Sequence, residues 1–254
     1  MFKYFFCVIS IVIIALFSSC SGCSSSGRMN QKQNVRESGH LPNKNVNPSS
    51  KSVTTQTPPI RTTSKSTERS LSEMYNMLKP AVFLIVVTKP QGGGSQGSGF
   101  FISSSGVGVS NYHVFKGGVR GKAYIKTLNE QVYQVGDVLD YNEELDYIVF
   151  KVIHDNSSFP FVQISEFQPL VGDDVFAIGN PEGLEHTLSK GIVSSYRDND
   201  LYIQTTTEIT HGSSGGALFN MNGEAVGITT AGLGMANLNF AMNLNKLGIK
   251  RFVY

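Results

Sequence analysis

Hydrophobic positions divide the chain into three zones. Residues 4–17 form an almost unbroken apolar run behind Lys3. Residues 24–70 are Ser, Thr, Asn, Gln and Lys with Pro42, Pro48, Pro58 and Pro59, and almost no large apolar side chains. From Leu71 the pattern changes again: a short amphipathic segment reaches Leu78 and is stopped by Pro80. Beyond it, β-rich apolar runs recur at 81–88, 99–102, 122–128, 131–139, 147–153, 175–178, 191–196, 201–207, 225–230 and 238–242. Gly92-Gly93-Gly94, Asn180-Pro181 and Asn222-Gly223 punctuate them as turns. Asn222-Gly223, flanked by runs 217–221 and 224–230, predicts a two-residue hairpin turn. About a dozen short strands without long helices between them predict an all-β sandwich or barrel. Only the tail from Leu244 has the pattern of a C-terminal helix, and nothing repeats at a fixed period.

Composition sharpens this picture. Charged residues are 16% of the 254, below the ~25% of an ordinary domain, and glycines number 26. Such a chain is poor material for coiled coils and good material for strands joined by tight turns. The net charge of +2 hides an asymmetry. Residues 24–70 carry eight Lys and Arg against Glu37 and Glu68, whereas residues 71–254 carry twelve against seventeen Asp and Glu. The body is mildly acidic, which disfavours a nucleic-acid partner. Cys7, Cys20 and Cys23 are all its cysteines, so no disulfide and no Cys-rich zinc cage can staple the body.

The front of the chain reads as an export signal over residues 1–19, its apolar run shorter than the ~20 residues that span a bilayer. It ends Leu16-Phe17-Ser18-Ser19-Cys20, which resembles the lipobox of bacterial lipoproteins, although Phe17 stands where Leu is usual. That resemblance implies lipidation at Cys20, with Cys23 a second candidate. An ordinary cleaved signal and an uncleaved anchor are the competing readings. Residues 20–70 are expected to be a disordered basic tether, because they cannot bury enough surface to offset ordering entropy. Its charge suits either anionic lipid headgroups or simple solubility.

Chemistry concentrates at Gly212-Ser213-Ser214-Gly215-Gly216. Flanking glycines let a serine sit on a tight turn whose N–H groups converge on one point, where they can stabilise a developing oxyanion. Chain order selects the partners. No His or Asp follows Ser214, which excludes the α/β-hydrolase order. The first Asp is Asp137, so the order Asp-His-Ser would need His154, His186 or His211. The order His113, Asp146, Ser214 is that of the chymotrypsin triad. His154, His186 and His211 read as loop residues. No HExxH, P-loop or dinucleotide fingerprint occurs, and neither metal nor cofactor is expected.

Context makes the match specific. Gly97-Ser98-Gly99-Phe100, then Ser110-Asn111-Tyr112-His113-Val114, then the run opened by Asp146-Tyr147-Ile148-Val149 resemble the HtrA/Deg type of trypsin-like serine proteases. Further matches are 175–183, Gly191-Ile192-Val193-Ser194, Ile203-Gln204-Thr205 and 212–231, so the resemblance covers roughly residues 72–250. It implies two six-stranded antiparallel β-barrels (about 80–168 and 169–245) with a short N-terminal helix. His113 and Asp146 come from the first barrel and Ser214 from the second. Gly212 and Ser214 would donate the oxyanion hole, and Ser213 is the lesser candidate nucleophile. Ser213 also stands where pancreatic members carry the Asp that pairs with a new N-terminal ammonium, so activation by that route is not expected.

The resemblance implies hydrolysis of polypeptide substrates, unfolded or envelope proteins, in the bacterial cell envelope by a membrane-anchored lipoprotein. Its competitor is a catalytically silent chaperone module using the same cleft. Glu208, six residues before Ser214, sits where a carboxylate would select Lys or Arg, whereas HtrA relatives prefer small aliphatic side chains. Thr229, Thr230, Ala231 and Gly232 are expected to form the edge that pairs with substrate backbone. A PDZ-like domain is not expected, since the sequence ends at Tyr254. Nothing in it chooses between a monomer and a homotrimer.

Overall fold

The computed structural model describes residues 69–180, 186–230 and 238–253. The chain divides into units Met1–Arg61 and Thr62–Tyr254, and all described residues lie in the second. The signal, most of the tether, Cys20, Ala231 and Gly232 lie outside the described residues.

The amphipathic opening is helix α1 (Leu71–Leu78), started by a capping box in which the Ser70 hydroxyl and the Glu73 carboxylate satisfy each other's backbone N–H groups. Pro80 falls in a 3-10 turn, Lys79–Ala81, that delivers the chain into β1 (Val82–Thr88). Then follow β2 (Gly94–Phe101), β3 (Val107–Ser110), helical turn α2 (Tyr112–Phe115), β4 (Ala123–Lys126), β5 (Val132–Asn142) and β6 (Tyr147–Val152). These six strands close into an antiparallel barrel in the order β1-β2-β3-β6-β5-β4. The second barrel comprises β7 (Asp174–Gly179), β8 (Thr187–Arg197), β9 (Tyr202–Thr205), β10 (Ala217–Asn220), β11 (Ala225–Thr230) and β12 (Asn239–Asn243). Its order around the ring, β7-β8-β9-β12-β11-β10, repeats the first.

Strand periodicity sorts the apolar residues into three cores. Inside the first barrel lie Phe83, Ile85, Val87, Phe101, Ile148, Phe150 and Val152. Inside the second lie Val175, Ala177, Val193, Ile203, Leu218, Val226 and Ala241. The alternate residues of the same strands, among them Val82, Phe100, Val149, Phe176, Ile178, Phe219 and Ile228, form a third cluster between the barrels, joined by Met74 and Leu78 of α1. That is why the inner ends of β1 and β2 and all of β11 are buried without alternation. Both faces are covered.

Two local expectations change. The hairpin at Asn222-Gly223 has a three-residue loop, with Gly223 N–H donating to Asn220 O and Asn220 N–H to Glu224 O. Gly223 is left-handed, φ 82°, the extra residue of a bulged turn, so the two-residue connection is not what forms. The C-terminal helix is present as two 3-10 turns, Leu244–Lys246 and Ile249–Phe252, separated at Gly248 with φ 64°. Among the described residues no helix is long and apolar enough to cross a membrane.

Candidate active site

β3 leads into Asn111, whose extended backbone starts α2. This single turn buries Val114 and leaves the His113 side chain 43% exposed. Asp146 ends the β5–β6 connection in a left-handed conformation, φ 46°, which Asp tolerates better than most residues. Its Oδ1 accepts the His113 main-chain N–H at 2.9 Å, and its Oδ2 lies 2.8 Å from His113 Nδ1. One carboxylate therefore fixes the imidazole and the backbone that carries it. An Nδ1–H donated to Asp146 leaves Nε2 as the basic nitrogen. A strand-like run opened by Asp146 predicts a carboxylate buried beside the core. In the structure it stands in the turn before β6, 21% exposed, because the left-handed residue turns back toward α2.

Asn111 is fully buried and joins this acid–base pair to the other barrel. Its Nδ2 donates to Asp146 O at 2.9 Å and to Thr230 Oγ1 at 3.0 Å.

Ser214 occupies the β9–β10 connection and is buried. Its carbonyl accepts the Ser98 N–H at 2.8 Å, which docks the loop on β2. Gly97, the preceding residue, lies under both halves of the site: a Cβ there would stand 2.6 Å from Val114 Cγ2 and 3.1 Å from Ser214 O. The histidine turn and the serine loop thus close on the same glycine. Gly215 is equally confined, since a Cβ on it would lie 2.2 Å from Ser98 O.

The turn before the serine has a defined type. Ser213 N–H donates to Thr210 O at 3.0 Å, Gly212 has φ 90°, and His211 is not among the positive-φ residues. A positive φ at the third position alone defines a type II turn, which a glycine there permits. The geometry excludes the type I′ alternative, which requires two consecutive positive values.

A cavity of about 290 Å³ lies beside this turn, lined by Ile178, Ser189, Glu208, Ile209, Thr210 and Ser213 together with neighbouring residues. Glu208 is exposed, and its N–H donates to Ser189 Oγ at 2.9 Å.

Thr229 departs from expectation. Its N–H donates to Gly216 O and its carbonyl accepts from Gly215, each at 2.8 Å, so its backbone is committed to the serine loop rather than open to a substrate strand. Its hydroxyl donates to Ser213 O at 2.6 Å. Thr230 is buried at the end of β11, holding Asn111. His186 lies in the turn before β8, a loop residue as expected, and is buried, with N–H to Asn180 Oδ1 at 3.0 Å and Nε2 3.0 Å from Val82 O. Ser98, Asn111 and Asn180 entered the sequence reading only as letters of motifs. A polar residue embedded in an apolar run, as in Gly97-Ser98-Gly99-Phe100, is the signal that could have marked them.

Two closed antiparallel barrels, with a carboxylate–imidazole pair from one and a glycine-flanked serine from the other, define the chymotrypsin-like class of fold. A sequence model of the trypsin-like peptidase domain matches residues 97–228, more than half of the chain. The chain therefore belongs to the trypsin-like peptidase family, and its similarities fall on the HtrA/Deg side of it.

It is 38% identical over 162 residues to a probable periplasmic serine endoprotease DegP-like of Pseudomonas putida (strain W619), covering 59% of this chain and 33% of that one. A putative serine protease HhoA of Synechocystis is 35% identical over 147 residues, covering 54% and 36%. The chain spans about a third of the length of these curated relatives. The crystal structure of a serine endoprotease from Yersinia pestis superposes with a TM-score of 0.63 at 27% identity, covering 73% of this chain and 67% of that one.

Proposed function

We propose that the protein is a serine endopeptidase acting through His113, Asp146 and Ser214. The observation that carries this reading is the two-point grip of Asp146 on His113, 2.9 Å to the backbone and 2.8 Å to the ring. In this mechanism Ser214 Oγ attacks the substrate carbonyl while His113 Nε2 takes its proton. The tetrahedral oxyanion sits against the N–H groups of Gly212 and Ser214. Its collapse breaks the C–N bond, and the proton on His113 passes to the departing amine. Water then repeats the sequence in reverse on the acyl-enzyme, with His113 again as base. Asp146 holds the tautomer and stabilises the imidazolium. No cofactor enters any of these steps.

The type II turn at Thr210–Ser213 supports an active resting state over a silent binding module. It supplies the left-handed Gly212 that a hole built from Gly212 and Ser214 needs. The cavity lined by Ile178, Ile209 and Glu208 is the pocket assigned to the side chain preceding the scissile bond. Pairing with substrate backbone falls to residues 230–232, since Thr229 is engaged elsewhere. The periplasmic relatives support a place in the cell envelope, with unfolded or envelope polypeptides as substrates and Cys20 as lipid anchor.

The test is digestion of an unfolded protein by the full chain and by Ser214→Ala. Cleavage by the parent and none by the variant is expected. Equal cleavage by both overturns the assignment.

A further inference from the structure

The serine loop is held by two hydroxyls, one from each barrel, on consecutive peptide planes. Ser98 Oγ donates to Gly212 O at 2.8 Å while accepting from Asn180 N–H at 2.8 Å. Thr229 Oγ1 donates to Ser213 O at 2.6 Å. A trans peptide is planar, with its C=O and N–H pointing in opposite directions. Fixing Ser213 O therefore fixes the direction of the Ser214 N–H, which belongs to the same plane. Fixing Gly212 O sets the plane that ends in the Ser213 N–H, already bound to Thr210 O, and with it the left-handed Gly212. Both donor residues are buried, Ser98 completely and Thr229 to within 1%, while Gly212 and Ser213 are half-buried.

Ser98 is itself fixed from every side. Its N–H goes to Ser214 O, and its carbonyl accepts Ser110 Oγ at 2.7 Å. Asn180 is held in turn, its Nδ2 donating to Phe83 O at 2.9 Å and its Oδ1 accepting from His186 N–H. The grip on Gly212 is thereby anchored in β1 and β2 of the first barrel. The grip on Ser213 comes from β11 of the second.

We propose that Thr229 and Ser98 are positioning residues: Thr229 aims the Ser214 N–H at the reacting oxygen, and Ser98 holds the Gly212–Ser213 peptide, and with it the left-handed Gly212 that completes the hole. The proposal rests on the peptidase reading above. It assigns to Thr229 a part in the transition state rather than in substrate pairing. An oxyanion is held tightly only by donors already pointing at it, and loss of one donor outright costs roughly 10²–10³-fold in turnover. A donor left present but loosely aimed should cost less.

The experiment is steady-state kinetics on a peptide substrate with the full chain, Thr229→Val, Thr229→Ser and Ser98→Ala, each with a thermal unfolding curve. Thr229→Val keeps the side-chain shape and removes only the hydroxyl. Its kcat should fall on the order of 10–100-fold with KM within about threefold, because the lost interaction acts on the transition state. Thr229→Ser should recover most of the loss, and Ser98→Ala should lower kcat in the same sense. Wild-type kcat in a folded Thr229→Val, a loss appearing in KM alone, or losses that merely track the unfolded fraction would each overturn the proposal. Turnover persisting in Ser214→Ala would instead overturn the peptidase reading beneath it.

Discussion

The two barrels share one strand order and place their chemistry at matching points, yet hold it by different means. His113 follows the third strand of the first barrel, and Ser214 follows the third strand of the second. The histidine turn is seated within its own barrel: Val114 is buried, the Phe115 ring lies 5.4 Å from that of Phe150, and Asp146 and Ser95 hold the His113 N–H and the Val114 carbonyl. Behind them the core is aromatic, with the Phe83 and Phe101 centroids 4.5 Å apart and those of Phe101 and Phe159 4.6 Å apart. The second barrel's interior is small and aliphatic. Its serine loop is held by hydrogen bonds from Thr229, and from Ser98 and its backbone across the barrel boundary. The candidate acid–base pair is held directly by its own barrel alone. A nucleophile's loop whose N–H groups must all point at one spot needs directional bonds, and these come partly from the partner barrel.

Breaking the acid–base pair should have the largest effect. Asp146→Asn keeps the shape but offers an amide to Nδ1, and kcat should fall by about 10⁴-fold while the unfolding curve stays in place. A loss below tenfold would mean that Asp146 only shapes the loop.

Core truncation tests the packing contrast. Phe83→Ala in the first barrel should cost about 3–5 kcal/mol, whereas Ile203→Val in the second should cost about 0.5–1.5 kcal/mol. Denaturant midpoints compare them directly. A Phe83→Ala cost no larger than that of Ile203→Val would mean that the aromatic cluster is not what stabilises the first interior.

The smallest effect is alkaline. Burial pushes the Tyr196 phenol on β8 up to about 12, with Asp200 and Asp173 adding to the rise against a hydrogen bond from Gln168. The folded state then keeps a proton that the unfolded chain releases near pH 10, so stability is full below pH 10 and falls as pH rises toward 12. Unfolding midpoints followed from pH 8 to 12 should show this decline. Tyr196→Phe should make it shallower, and an unchanged slope would remove Tyr196 as its source.

Much of the fold was legible in the sequence, because strands declare themselves through alternation, and chain order was enough to name the candidate triad. His113, Asp146 and Ser214 could be named from motifs. What escaped were the long-range bonds. Nothing near Thr229 says that its hydroxyl meets Ser213, and nothing near Ser98 says that it meets Gly212 across 114 residues. Thr229 read as a substrate edge because a strand's pattern does not reveal which neighbour its backbone pairs with. The hairpin at Asn222-Gly223 was found but its length was not, because one bulged residue changes the loop without changing the motif. The short β3 was visible only as the lead-in to His113, four residues being too few for a period to show.

The most direct measurement is the intact mass of the full chain and of Ser214→Ala after incubation with a fluorophosphonate probe. One adduct on the wild type and none on the variant is expected, since phosphonylation needs both an activated serine and a formed oxyanion hole. A folded wild-type protein that gains no adduct, or a variant that gains one, would contradict the peptidase reading.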